Sequence, residues 1–132
     1  MACDRRGRAL AFRLLPGHRS ELRVADALLV AVVGLGRVGR VTCDRAYSSA
    51  PWRAGIRAVG AEPVVPAPRT HPAVEYDRAA YRERHRVEQL WGRLKEWRAV
   101  ATRYEKTAES YLGALHVAAA MDWIKHGLSH TA

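Results

Sequence analysis

The fifteen residues from Tyr81 to Lys95, YRERHRVEQLWGRLK, constrain this chain more than any other stretch, because their polar and apolar positions repeat at helical intervals on two different faces. At about 100° per residue, Tyr81, Arg84, Glu88 and Lys95 fall within roughly a 60° arc of one helix. Val87, Leu90, Leu94 and Trp97 fall on another arc, roughly 160–240° round from Tyr81. The pattern predicts one long helix over residues 77–97, with an apolar face for packing and a second face presenting a carboxylate among cationic and phenolic groups. On spacing alone that second face reads first as a solvated charged surface.

Upstream, the DRRG of residues 4–7 has Asp4 and Gly7 placed as in a type I turn, followed by a short strand over residues 9–15 that stops at Pro16-Gly17. Residues 21–32 carry Leu22, Ala25, Leu28, Leu29 and Val32 at helical steps, with Ser20 available as the N-cap. Residues 40–43 form a brief strand ending in Asp44; residues 50–59 form a short helix closed by Gly60; residues 62–65 form a strand stopped by Pro66. A right-handed crossover makes the two strands of that unit parallel. A proline-containing loop follows to Val74, and a last helix spans residues 106–127. The whole reads as one α/β domain over residues 1–132.

Composition narrows the partners. The net charge is +9, with 22 basic residues of which only Lys95, Lys106 and Lys125 are lysines, so an anionic partner is expected, nucleic acid first and an acidic membrane surface second. Cys3 and Cys43 match no metal or redox spacing, and a reduced cytoplasmic protein is the simplest reading. The charged first residues predict no signal peptide. The Ala-rich run from Tyr111 to Ile124 is too short to span a bilayer and is interrupted by His116 and Asp122, so it is read as a core helix. Residues 34–39, GLGRVG, fit the dinucleotide-binding pattern by letter, but a helix precedes and a strand follows, the reverse of what pyrophosphate binding needs. They are read as a helix-to-strand turn.

The spacing Tyr-x2-Arg-x3-Glu-x6-Lys of residues 81–95 resembles the glutamate box of bacterial insertion-sequence transposases of the DDE class, whose catalytic domain has a ribonuclease H-like fold. TCDRAYSS, residues 42–49, resembles that family's second aspartate box. GIRAVGAEPVVPAP and RAVATRYEKTAESYLGALHVAAAMDWI resemble the segments between and after the boxes. The resemblance implies phosphoryl transfer on DNA: carboxylates holding two Mg²⁺ ions that activate an attacking oxygen and stabilise the leaving one. Carried over, Asp44 is the second aspartate and Glu88 the glutamate, both catalytic and metal-binding. Tyr81, Arg84 and Lys95 become DNA-binding residues.

The departure lies at the first aspartate, which the family carries on its central first strand. No position here matches it; Asp4 matches a hairpin-turn aspartate, and His18 and Asp26 match no metal box. The expected fold is therefore ribonuclease H-like, truncated at the N-terminus with the central first strand missing, and with two C-terminal helices. The expected partners are insertion-sequence ends and target DNA, with a homo-oligomer or full-length transposase and no membrane. Activity of this chain alone is expected to be crippled. The alternative is a non-catalytic DNA-binding or transposase-interacting fragment.

Overall fold

The computed structural model describes residues 1–16, 22–103 and 105–128, with side chains omitted at 22, 23, 127 and 128. The chain separates into two compact units, one made of Met1–Leu14 with the residues from Arg86 onward, the other of Leu15–His85.

The first unit opens with an antiparallel hairpin of β1 (Ala2–Cys3) and β2 (Ala9–Ala11), in which Ala2 faces Ala11. The expected turn is present: Gly7 N–H donates to the Asp4 carbonyl at 2.9 Å, and Gly7 takes φ +74°, a conformation that favours glycine. The strand expected to run to Leu15 stops at Ala11. β1 is two residues long, so residues beyond Phe12 have no ladder opposite them, and Arg13 Nη1 donates to the Phe12 carbonyl instead.

In the second unit, α1 (Leu22–Val33) is followed by β3 (Arg40–Thr42), a 3-10 turn (Arg45–Tyr47), α2 (Ala50–Ala58) and β4 (Glu62–Val64). β3 and β4 pair in parallel, Thr42 facing Val64, as a strand–helix–strand crossover requires. Pro63 sits in the middle of β4, tolerable because this strand has a partner on one side only within its two-stranded sheet. Ser49 caps α2 by accepting from Trp52 N–H, and Gly60 at φ +79° ends it. The Ser20 cap expected for α1 lies outside the described residues. The glycine-rich stretch is a turn, as expected: Gly34 N–H donates to the Val30 carbonyl at 3.0 Å and closes α1.

The single long helix expected over residues 77–97 is not formed. Three pieces replace it: α3 (Arg78–Arg82), α4 (His85–Lys95) and α5 (Arg98–Thr102). At the first break, Glu83 N–H and Arg84 N–H donate to carbonyls three residues back, Ala80 at 3.1 Å and Tyr81 at 3.0 Å, in place of helical spacing. The Arg82 carbonyl is taken by His85 Nδ1 at 2.6 Å. At the second, Trp97 is extended at φ −76°, ψ 117°. The last helix, α6 (Ala108–Leu128), agrees with expectation to within two residues at its start.

Each unit has its own core. In the first, Ala9 and Phe12 meet Leu90 and Leu94 of α4, Val100 of α5, and Tyr111, Leu115, Ala118 and Ala119 of α6. Of the predicted apolar stripe, Leu90 and Leu94 lie in this core and Trp97 packs against it, while Val87 is not among its members; burial of each leucine stabilises by about 1.5–3 kcal/mol. In the second, Ala25, Leu29, Trp52, Ile56, Ala61 and Val65 cluster. Among the described residues, no helix is long and apolar enough to cross a membrane.

Candidate active site

Asp44 stands where β3 ends. Cys43 N–H still donates to the Val64 carbonyl at 3.2 Å, so the strand pairing runs up to the residue before it. Asp44 itself is extended, and its carboxylate accepts from Ala46 N–H, capping the 3-10 turn. Its carbonyl accepts Tyr47 N–H at 3.1 Å. The side chain is exposed at the C-terminal end of a parallel strand, the edge at which open α/β sheets place ligand-handling groups. A carboxylate with one backbone bond retains lone pairs for a cation or a donor.

The residue before it is different in kind. Burial pushes the Cys43 thiol up to about 11, the neighbouring Asp44 charge adding to the rise. Trp52 Nε1 makes no hydrogen bond within normal limits, and its approach to the thiol offsets only part of this. Cys43 is thus a neutral, apolar residue at the strand end.

Tyr81 and Arg84 lie in the second unit with Asp44. α3 begins at Asp77, whose carboxylate accepts from Ala79 and Ala80 N–H, both at 2.9 Å. The Ala80 bond, joined by that from Ala79 and by Arg40, holds the exposed Asp77 carboxyl below its ordinary range. Arg40 ties this start to the sheet, reaching Glu62 at 2.9 Å and Asp77 at 3.4 Å. Tyr81 packs edge-on against Tyr76, ring centroids 5.5 Å apart, and the Arg84 guanidinium lies 6.0 Å from the Tyr81 ring. These two predicted residues are therefore neighbours.

Glu88 and Lys95 belong to α4 in the first unit, both exposed. Seven residues apart, they sit about 10 Å apart along the axis and within about 20° of one another around it. Lys95 Nζ stands 5.2 Å from the Trp91 ring. The four side chains that the sequence placed on one helix are thus divided, Tyr81 in α3, Arg84 in the turn, Glu88 and Lys95 in α4. Sequence reasoning missed the arginines that hold these elements. On α4, Arg93 is bound to Asp122 of α6 and to the hairpin carbonyl of Gly7. A cavity of about 130 Å³ lies beside this pair, lined by Arg93, Trp97, Asp122, Lys125 and His126 among others, and by none of the predicted site residues. In the second unit, Arg53 is buried at α2.

Asp4 is spent as a turn residue. Its carboxylate accepts from Arg6 N–H, Arg8 N–H and Arg8 Nε, at 2.9, 2.9 and 2.8 Å. Among the described residues, no three His, Cys, Asp or Glu side chains come together as a metal-holding group.

A family model described as a transposase DDE domain matches residues 41–125. A putative transposase for insertion sequence element IS6501 from Brucella ovis is 33% identical over 126 residues, covering 92% of this chain and 93% of the relative. No solved structure matches.

Proposed function

Because the chain belongs to the DDE transposases of bacterial insertion sequences, we propose that its substrate is DNA at the ends of such an element and that its chemistry is phosphoryl transfer. The observation that carries this reading is the similarity to an insertion-sequence transposase over 92% of the chain. Asp44 and Glu88 serve as two of the three carboxylates, and Tyr81, Arg84 and Lys95 contact the DNA backbone. Arg84 brings a planar fork suited to phosphate, Lys95 a point charge, and Tyr81 an aromatic face. The protein works in the cytoplasm, on the nucleoid.

Mg²⁺ is the cofactor of this reading, and when bound it supplies charge neutralisation at the attacking and leaving oxygens. Exposed carboxylate oxygens fit a hard cation in kind. In number they fall short on this reading: Asp44 and Glu88 are two of three carboxylates, no position matches the first aspartate, and Asp4 is committed to its turn. On this reading the 132 residues make an incomplete site, and the chain alone does not cleave or join DNA ends.

The ribonuclease H-like fold belongs to the same reading. The antiparallel pair β1–β2 and the parallel pair β3–β4 lie in two separate sheets, in the chain order this fold uses on either side of its central strand. Support comes from that order and from a long C-terminal helix following the glutamate helix.

The test incubates the purified chain, with Mg²⁺ or Mn²⁺, on duplexes carrying the element's ends, beside a version extended through the codons upstream of Met1 to an aspartate followed by Ser-Thr or Gly-Thr. The extended protein should cleave and lose activity with Glu88→Gln, while the 132-residue chain should not cleave. Robust cleavage by the 132-residue chain, abolished by Glu88→Gln, would show that another acid completes the site. Salt-sensitive DNA binding without cleavage in either form would leave a binding fragment.

A further inference from the structure

Arg53 is the one buried arginine of the second unit among the described residues, 8% exposed on the first turn of α2. Both features oppose a cation there. Burial removes water from the guanidinium, and the helix N-terminus is the positive end of the macrodipole. No carboxylate among the described residues forms an ion pair with it. Its partners are neutral oxygens: Nη2 donates to the Ser48 hydroxyl at 2.7 Å and to the Val65 carbonyl at 3.0 Å, and Nε reaches the same carbonyl at 3.4 Å.

Those two oxygens belong to the two segments next to Asp44, one along the chain and one across the ladder. Val65 directly follows β4, the strand paired to the one that ends before Asp44. Ser48 is the C-cap of the 3-10 turn whose N-cap is Asp44, and its N–H closes that turn on the Arg45 carbonyl at 3.0 Å. A brace between α2 and β4 needs only the carbonyl, and a leucine would fill the space without burying a charge. The second leg, to Ser48, is what reaches the turn.

We propose that Arg53 is a positioning residue for Asp44: its guanidinium fixes the far end of the Asp44 turn to the end of β4, and so sets where the carboxylate stands beyond the strand. The functional meaning rests on the reading of Asp44 as one of the transposase carboxylates; the positioning itself does not. A single turn of three residues has few bonds of its own, so one fixed end decides whether it holds its shape. Catalytic carboxylates need placement to within about 0.5 Å, which an unanchored surface turn does not provide.

The test uses the whole chain and NMR amide exchange, a readout independent of metal and of activity. Ser48→Ala removes one leg with little risk to folding, and Arg53→Gln removes the fork. In both, the amides of Ala46, Tyr47 and Ser48 should exchange at least about fivefold faster, as the turn opens more often. Cys43 N–H, bonded to Val64 in the ladder, should change less than twofold. Ser48→Thr, which keeps the hydroxyl, should restore the slow exchange. Exchange at Ala46 to Ser48 unchanged in Ser48→Ala, or Cys43 accelerated as much as the turn, would make Arg53 a brace of the fold only and overturn the proposal. In the extended protein, Arg53→Gln lowers cleavage under the proposal. Loss of slow exchange without any effect of Asp44→Asn on cleavage would overturn the role of Asp44 and leave the positioning standing.

Discussion

Asp122 accepts both arms of the Arg93 fork, Nε at 2.8 Å and Nη2 at 3.0 Å, from a position 7% exposed on α6. The same Nη2 donates to the Gly7 carbonyl at 2.6 Å, so one side chain of the glutamate helix grips both the last helix and the hairpin turn. Asp122 holds the Arg93 guanidinium above its already high ordinary value. Breaking such a pair leaves a charge without its partner, whereas replacing both partners by apolar side chains does not. Asp122→Ala should therefore destabilise the chain by about 2–3 kcal/mol in urea unfolding, less than the roughly 3–5 kcal/mol of a fully buried pair because Arg93 retains some contact with water. The double variant Arg93→Met, Asp122→Leu should recover most of that loss. A double variant no more stable than Asp122→Ala would show that the Gly7 bond, not the pair, carries the effect.

Acid should weaken the first unit through Asp4. Desolvation acts to raise this carboxyl, but the bonds from Arg8 N–H, the Arg8 side chain and Arg6 N–H outweigh it, and the group is held below its ordinary value of 3.8. A carboxyl lower in the folded than in the unfolded chain adds stability that is fully present above the unfolded value and is lost as pH falls through the folded one. Melting temperature should thus drop between about pH 4 and pH 2 more steeply in the wild type than in Asp4→Asn. Parallel curves would remove Asp4 from the acid sensitivity.

Cys43 should be inert although it adjoins Asp44. With its thiol pushed up to about 11 by burial, roughly one molecule in a thousand carries the thiolate at pH 8. Reaction with a disulfide reagent at that pH should be slower by a factor on the order of 100 or more than in the urea-unfolded chain. Fast labelling of Cys43 in a Cys3→Ser background would mean that the strand end opens readily.

The fold was legible where local signals and burial agree. Pro66 and Gly60, the α1 face of Ala25, Leu28 and Leu29 at helical steps, and the Leu90–Leu94 pair each pointed to one outcome, and the parallel pair followed from the crossover. The helix wheel failed over residues 77–97 because it extends one axis through any run that lacks proline, and the one glycine of the run, Gly92, lies inside α4 and marks neither break. The Ala80 and Tyr81 carbonyls take three-residue bonds from Glu83 and Arg84 N–H, and the Arg82 carbonyl takes His85, a choice that no periodicity records. For the site, the boxes gave Asp44 and Glu88 by resemblance, and the local surroundings of Asp44 agree with a strand-end carboxylate. Arg53 and Arg93 were not legible, because their partners are backbone carbonyls or residues up to 86 positions away.

DNA binding should respond to Lys95 and Arg84, the two cations of the box, and not to Arg93. The chain carries +9, and each phosphate neutralised by a side chain releases counterions, which makes the logarithm of affinity fall linearly with the logarithm of salt. Lys95 is exposed on α4, and Arg84 lies beside Tyr81; if each meets one phosphate, Lys95→Ala and Arg84→Ala should each reduce the salt slope by about 1 and weaken binding across all sequences alike. Arg93 is the internal control, because Asp122 already cancels its charge: the Arg93→Met, Asp122→Leu pair should leave the slope unchanged. The measurement is fluorescence titration of a labelled duplex at several salt concentrations. Equal slopes for wild type, Lys95→Ala and Arg84→Ala would remove both residues from the DNA interface and with them the functional meaning of the box beyond Glu88.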